Sequence, residues 1–223
     1  MTKELRAALE VILSNMSSQP LKVLEIGSRV ADHQDAICDL RPLLPKSKYV
    51  GLDMQDGVGV DVVADANNLP FPNHSFDLVI CLETLEHADN PWKMSEEIKR
   101  VVKKNGAVIL SSQQNFPIHM HPSDYFRYTP YGLATLIPEK WQKVVLGISV
   151  PFEDEVKLNP KHVIAIAWNS KLWSKATLKK QLKKHEQNIG GHKPYRHRLF
   201  DAINIIKRAL NEANYRQEIH FFE

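Results

Sequence analysis

Apolar positions in residues 2–15 recur at helical spacing: Leu5, Ala8, Leu9, Ile12 and Leu13 fall on one side, with Lys3, Glu4 and Arg6 off it. That pattern predicts an amphipathic helix lying on a larger apolar surface. The rhythm then changes. Short apolar runs occupy residues 22–26, 49–53, 60–64, 76–81 and 107–111, as expected of strands buried on both faces of a parallel sheet. Helix and turn signals separate them. Residues 34–40 carry a short helical pattern that ends before Pro42 and Pro45. Asn90-Pro91 places a capping side chain and a first-turn proline at the start of a helix reaching about residue 102, with Asn105-Gly106 as its stop. Residues 55–59 and 69–75 are turn-rich. Such alternation predicts an α/β fold with a doubly wound, mostly parallel sheet. The runs 141–148 and 162–168 have no helix between them and read as an antiparallel hairpin on one edge, giving seven strands. A helical C-terminal extension follows, with patterns at residues 174–185 and 198–215; the second repeats Leu199, Ile203, Ile206 and Leu210.

Charge divides the chain. From Lys171 onward there are 12 basic and 5 acidic residues, against 17 and 21 before it, within a net charge of +3. An acidic body thus carries a basic tail, and the shift predicts a domain at 1–170 and an extension at 171–223. Lys175, Lys179, Lys180, Lys183 and Lys184 cluster on one predicted helix. They read as a solvated face or as a surface for nucleic acid, an anionic glycan or a membrane. The apolar stripe of the last helix suits a homodimer contact or packing on the core. The two cysteines, Cys38 and Cys81, lack metal-type spacing, and the N-terminus lacks a signal-peptide pattern. Both point to a reducing, cytoplasmic setting. No apolar run is long enough for a membrane span.

The chemistry begins where the first strand ends. Glu25-Ile26-Gly27-Ser28-Arg29 closes a buried run with an acid and a glycine turn. In open α/β sheets ligands bind beyond the carboxyl ends of the strands. A dinucleotide site would need Gly-x-Gly-x-x-Gly; Gly27 is followed instead by Ser28, Arg29, Val30 and Ala31, which argues against a nicotinamide dehydrogenase. Glu25 suits a ligand that carries positive charge.

An ordered set of short segments resembles the class I S-adenosylmethionine-dependent methyltransferases of the type 11-like family. It comprises Val23-Leu24-Glu25-Ile26-Gly27-Ser28, Gly51-Leu52-Asp53-Met54, Asp65-Ala66, Leu69-Pro70-Phe71, Ser75-Phe76-Asp77-Leu78-Val79 and Leu85-Glu86-His87. The resemblance covers residues 21–133. It implies a Rossmann-like sheet, S-adenosyl-L-methionine as cofactor and transfer of its methyl group. It also implies roles. Asp53 would accept both ribose hydroxyls, Met54 would pack on adenine, and Asp65 with Ala66 would meet the adenine amino group. Glu25, Gly27 and Ser28 would lie near the methionine part, and Cys81 would line the site. The segment from His121 to Pro130 is similar to the acceptor-side loop, which nominates His119, Asp124, Tyr125 and Arg127. One departure stands out: Arg29 replaces the second glycine of the family's Gly-x-Gly. It would turn away from the sulfonium, meet the cofactor's carboxylate, or close the pocket and leave a non-catalytic binding protein.

Glu83-Thr84-Leu85-Glu86-His87 adds a second constellation. On a helix, residues 83, 86 and 87 would share a face, and Glu83, Glu86 and His87 could hold a divalent ion, with His119 or His121 as a further ligand. Glu-x-x-Glu-His resembles the pattern of metal-assisted O-methyltransferases of the ubiquinone pathway and of small RNAs. The favoured reading needs no metal. It has a hydroxyl of a small molecule or glycan as acceptor, with His87 or His121 as base because imidazole titrates near neutrality. The alternative is a metal-assisted RNA 2′-O-methyltransferase.

Overall fold

The computed structural model describes residues 1–16, 19–30, 35–120, 123–148 and 160–189. Seven strands form one sheet: β1 (Lys22–Ile26), β2 (Lys48–Asp53), β3 (Val62–Val63), β4 (Phe76–Leu82), β5 (Val102–Gln113), β6 (Gln142–Ile148) and β7 (His162–Trp168). Their order is β3-β2-β1-β4-β5-β7-β6. The first five are parallel, whereas β7 runs antiparallel between β5 and β6. The sheet is the one the apolar runs predict. The later hairpin sits at the edge, and its second strand is the one that joins the rest.

Alternation along the strands supplies two apolar faces. Val23, Leu78, Ile80, Ile109, Ile164 and Ile166 pack with Leu5, Leu9, Ile12 and Leu13 of α1 (Lys3–Ser14). Leu24, Ile26, Val79, Cys81, Val108 and Leu110 pack with Met94, Ile98 and Val101 of α3 (Pro91–Val101) and with Leu133 of α4 (Pro130–Ala134). Local chemistry sets the helix starts. The Asn90 side chain accepts from the Lys93 amide at 3.1 Å, with Pro91 in the first turn. Thr2 caps α1 by accepting from the Leu5 amide at 3.3 Å, and its Oγ1 lies 3.3 Å from His162 Nε2.

Three elements differ from expectation. The helix expected at residues 34–40 is only α2 (Asp35–Cys38), because the chain tightens into a 3-10 turn at Arg41–Leu43 with Pro42 inside it. The third strand shrinks to two residues, since the Val60 amide is turned back onto the Gly57 carbonyl at 3.1 Å. β5 begins at Val102, earlier than its apolar run suggests, through a register shift opposite Phe76 and Leu78. The pattern at 198–215 lies outside the described residues.

Two compact units are present, Met1–Glu186 and Gln187–Glu223. Residues just past the change in composition at 170 therefore pack with the first unit. Leu172, Trp173 and Leu178 are buried against α1 residues. The Trp173 ring stands edge-on to Trp168 at 5.7 Å, and its Nε1 donates to the Ile12 carbonyl at 2.8 Å. Leu178 anchors α5 (Lys175–Ile189), whose five lysines are exposed. Among the described residues, no helix is long and apolar enough to cross a membrane.

One polar pair interrupts the α1 face. Glu25 shares that face with Val23 and is 7% exposed, and its Oε2 accepts from the Tyr49 hydroxyl at 2.7 Å. Burial pushes the Glu25 carboxyl up to about 7 from near 4.5, although the Tyr49 hydrogen bond opposes the rise. A protonated Glu25 is easier to bury than an ionised one. Its contribution to stability is thus full below about pH 4.5 and is lost as pH rises through about 7, a change on the order of 3 kcal/mol. Urea unfolding of Glu25→Gln should show a shallower decline over that window than the wild type. Separately, Trp173→Phe should cost about 1 kcal/mol by removing the bond to Ile12 while keeping an aromatic ring.

Candidate active site

The carboxyl ends of β1, β2 and β4 meet at one turn. Gly27 adopts φ +75°, and a Cβ there would stand 2.0 Å from Thr84 Oγ1. Only glycine fits both demands. The Leu52 carbonyl accepts from the amides of Gly27 (2.8 Å) and Ser28 (3.1 Å). Ser28 is buried, and its Oγ has no hydrogen-bond partner. Asp53 follows immediately: Oδ2 accepts from the Arg29 amide at 3.3 Å and Oδ1 from the Gln55 amide at 3.0 Å. The Arg29 side chain is exposed and lies along Gly57, where an added Cβ would come 3.0 Å from Nε. Arg29 thus runs over the loop after β2.

The neighbouring candidates are open to solvent. Met54 is 71% exposed. Asp65 is exposed, with Oδ1 accepting from the Asn67 amide at 2.8 Å, and Ala66 is half-buried. The structure gathers Gly27, Ser28 and Asp53 directly and sets Met54, Asp65 and Ala66 on the adjoining ends of β2 and β3. It does not bring Glu25 or Cys81 into the open. Glu25 turns to Tyr49 on the α1 face. Cys81 is fully buried against Ile26, Val79 and Leu85, and burial pushes its thiol well above the usual range.

The helix expected for residues 83–87 does not form, and this corrects the shared face proposed for Glu83, Glu86 and His87. Glu83 has φ +49°, and only Leu85–His87 makes a 3-10 turn. The backbone reversal sends the two carboxylates apart. Glu83 Oε1 accepts from Ser111 Oγ at 2.8 Å, and Oε2 lies 2.8 Å from His162 Nδ1. Burial raises the Glu83 carboxyl, but the His162 contact, with Ser111 and Gln113, outweighs it and holds the group below the usual range. Glu86 is fully buried; Oε2 accepts from Ser112 Oγ at 2.7 Å, and Oε1 has no partner. Burial, then the nearby Glu83 charge, push Glu86 up to about 8. Two carboxylates three residues apart are thereby driven in opposite directions, a pattern common at reactive sites.

The acceptor-side residues form a braced loop. The Arg127 guanidinium donates to both Asp124 oxygens at 2.5 and 2.7 Å and holds that carboxyl far below its ordinary value. The Asp124 side chain is fully buried and also accepts from the His119 amide at 2.8 Å. Arg127 and Asp124 are therefore committed to each other. Tyr125 is 50% exposed, and its amide donates to the Glu86 carbonyl at 2.8 Å. His87 and His119 stand edge to face with centroids 4.8 Å apart. His121 lies outside the described residues.

Sequence reasoning missed His162, Ser111 and Ser112, which fix the two carboxylates. The serines carried a faint signal, two hydroxyls at the end of an otherwise apolar strand. His162, some 80 residues from Glu83, carried none. A cavity of about 500 Å³ lies at the opposite, amino edge of the sheet, between Gln19, Asp77, Asn105 and Asn169; none of the candidate residues lines it.

Residues 39–110 match a family model described as a methyltransferase domain. Among curated relatives, the 27-O-demethylrifamycin SV methyltransferase of Amycolatopsis mediterranei is 40% identical over 58 residues, 26% of this chain and 21% of that protein. The chain spans between about a fifth and two fifths of the length of the curated relatives it matches. Solved folds match more widely. A SAM-dependent methyltransferase from Archaeoglobus fulgidus superposes with TM-score 0.56 at 16% identity, over 75% of this chain and 94% of that one. The Burkholderia thailandensis 1,6-didemethyltoxoflavin-N1-methyltransferase, solved with S-adenosylhomocysteine, gives 0.52 at 16% over 75% and 79%. Sequence match and fold together place the chain in the class I S-adenosylmethionine-dependent methyltransferase family.

Proposed function

We propose that this chain binds S-adenosyl-L-methionine across the carboxyl ends of β1, β2 and β4 and transfers its methyl group to a hydroxyl of a small molecule or glycan. The observation that carries the reading is Asp53, at the end of β2 beside a glycine turn that leaves no room for a side chain. Its two oxygens hold backbone amides and keep lone pairs for a ribose diol, a charge-assisted pairing. The exposed thioether of Met54 offers an apolar platform for a purine. Asp65 uses one oxygen on Asn67 and presents the other to an exocyclic amine. The orphaned Ser28 Oγ and the uncrowded Gly27 turn also fit a ligand at this edge. Arg29 lies along Gly57 and is exposed, which supports an open turn rather than the closed pocket of a non-catalytic relative.

Bound S-adenosylmethionine would supply a methyl group on a positively charged sulfur, already a good leaving group. The chain's task is to hold acceptor and methyl donor in line, which can supply ~7–11 kcal/mol. Asp53, Met54 and Asp65 grip the nucleoside and fix where the reactive end lies. The loop braced by Asp124–Arg127 positions the acceptor, with Tyr125 exposed beside it. The hydroxyl proton leaves through the cluster of Glu86, His87 and His119, with His87 as its receiver; such assistance is worth ~10²–10⁴-fold. The relative named for a 27-O-demethylated acceptor supports transfer to oxygen.

In calorimetric titrations the full chain should bind S-adenosylmethionine and S-adenosylhomocysteine, and Asp53→Ala should bind both ~10–100-fold more weakly, the worth of a hydrogen bond to a charged group. Arg29→Gly should retain binding. A wild-type protein that binds neither compound would overturn the cofactor assignment. With a labelled methyl donor, transfer to hydroxyl acceptors but not to matched amines is expected; the reverse preference would overturn the oxygen reading alone.

A further inference from the structure

Glu86, His87 and His119 converge more tightly than proton removal requires. One ligand-capable atom from each lies within 4.8 Å of the others. Two ligands at ~2.0–2.2 Å from one ion stand at most ~4.4 Å apart, so the widest pair has to close by only a few tenths of an ångström.

Each member is prepared on its far side. Glu86 is fully buried; Ser112 occupies Oε2 and Oε1 is left without a partner. An unsatisfied buried oxygen on an ionisable group is costly, and a cation would satisfy it. His87 Nδ1 faces the Ser123 carbonyl at 2.5 Å. His119 Nδ1 lies 3.1 Å from Asp124 Oδ2 and 3.3 Å from the Pro117 carbonyl. With acceptors opposite both Nδ1 atoms, the rings carry their protons there and leave the Nε2 lone pairs free. Metal-bound histidines are oriented in this way, by a carbonyl or carboxylate on the other ring nitrogen. The positive charge of Arg127 is spent on Asp124, which accepts from both of its terminal nitrogens.

We propose that Glu86, His87 and His119 form a three-ligand site for a first-row divalent metal ion. The donors are one carboxylate oxygen and two imidazole nitrogens. That set favours Zn²⁺ or Mn²⁺ over Mg²⁺ and Ca²⁺, which prefer oxygen alone. The ligands come from the turn after β4 and the loop after β5, at the same sheet edge as Asp53. Glu83, first in the Glu-x-x-Glu-His spacing, is not a member, because Ser111 and His162 hold its carboxylate. Three protein ligands leave a coordination position open, as in catalytic rather than structural sites. An acceptor oxygen could occupy it; that consequence rests on the methyl-transfer reading, whereas metal binding does not.

The test is titration of the chelator-stripped full chain with ZnCl₂ and MnCl₂ in the absence of S-adenosylmethionine, with Co²⁺ absorption as a spectroscopic probe of the ligands. One ion per chain is expected. Binding should be lost in Glu86→Gln and His119→Ala, and kept in Glu83→Gln, with circular dichroism confirming that each variant folds. Should the core variant Glu86→Gln fail to fold, His119→Ala, altered in a surface loop, carries the test. The absence of binding by the wild type, or undiminished binding by His119→Ala, would overturn the proposal. So would a loss in folded Glu83→Gln equal to that in His119→Ala. Affinity for S-adenosylmethionine is measured separately, so either assignment can fail without the other.

Discussion

The Leu52 carbonyl oxygen accepts from two successive amides, those of Gly27 and Ser28. This shared acceptor joins the end of β1 to the end of β2. It forces the β1 chain into a left-handed turn that only glycine tolerates and presses the turn against Thr84 after β4. Three strand ends are therefore locked into one ledge. Asp53 stands on it because the residue that follows Leu52 must emerge there. A fold with the same strands but a looser first turn would have no reason to place a carboxylate beside orphaned polar atoms.

Around the ledge, environment outweighs residue type. Glu25, Glu83 and Glu86 are all glutamates at strand ends. Glu25 is buried against Tyr49, Glu83 is gripped by Ser111 and His162, and Glu86 keeps one oxygen unclaimed. Burial raises two of them, while hydrogen bonds and a neighbouring ring lower the third. These differences arise from what β2, β5 and β7 present across the sheet, and they separate a brace from a reactive group.

This explains what the sequence could and could not reveal. The strands were legible because burial on both faces requires unbroken apolar runs. α3 was legible because Asn90-Pro91 writes its own beginning. Asp53 was legible because its position follows from the strand end. The Glu83–His87 spacing misled, since helical periodicity was assumed where a positive φ breaks the helix, and no neighbouring glycine announces that reversal. The Glu83–His162 contact depends on β7 entering between β5 and β6, a choice of strand order that local pattern does not encode. The pairing of His87 with His119 is likewise a product of two loops meeting.

The insertion of β7 also governs how such a chain can be made. β5 has hydrophobic residues on both faces, and its free edge is paired only by residues 162–168. On a ribosome, the parallel half of the sheet is complete long before that partner emerges. During the interval β5 offers an unprotected row of amides and carbonyls, a template for another chain. Aggregation during synthesis is thus a hazard built into the strand order. A chaperone or a slow stretch of translation ahead of β7 would act on this edge, and solubility in expression would depend on how soon β7 arrives.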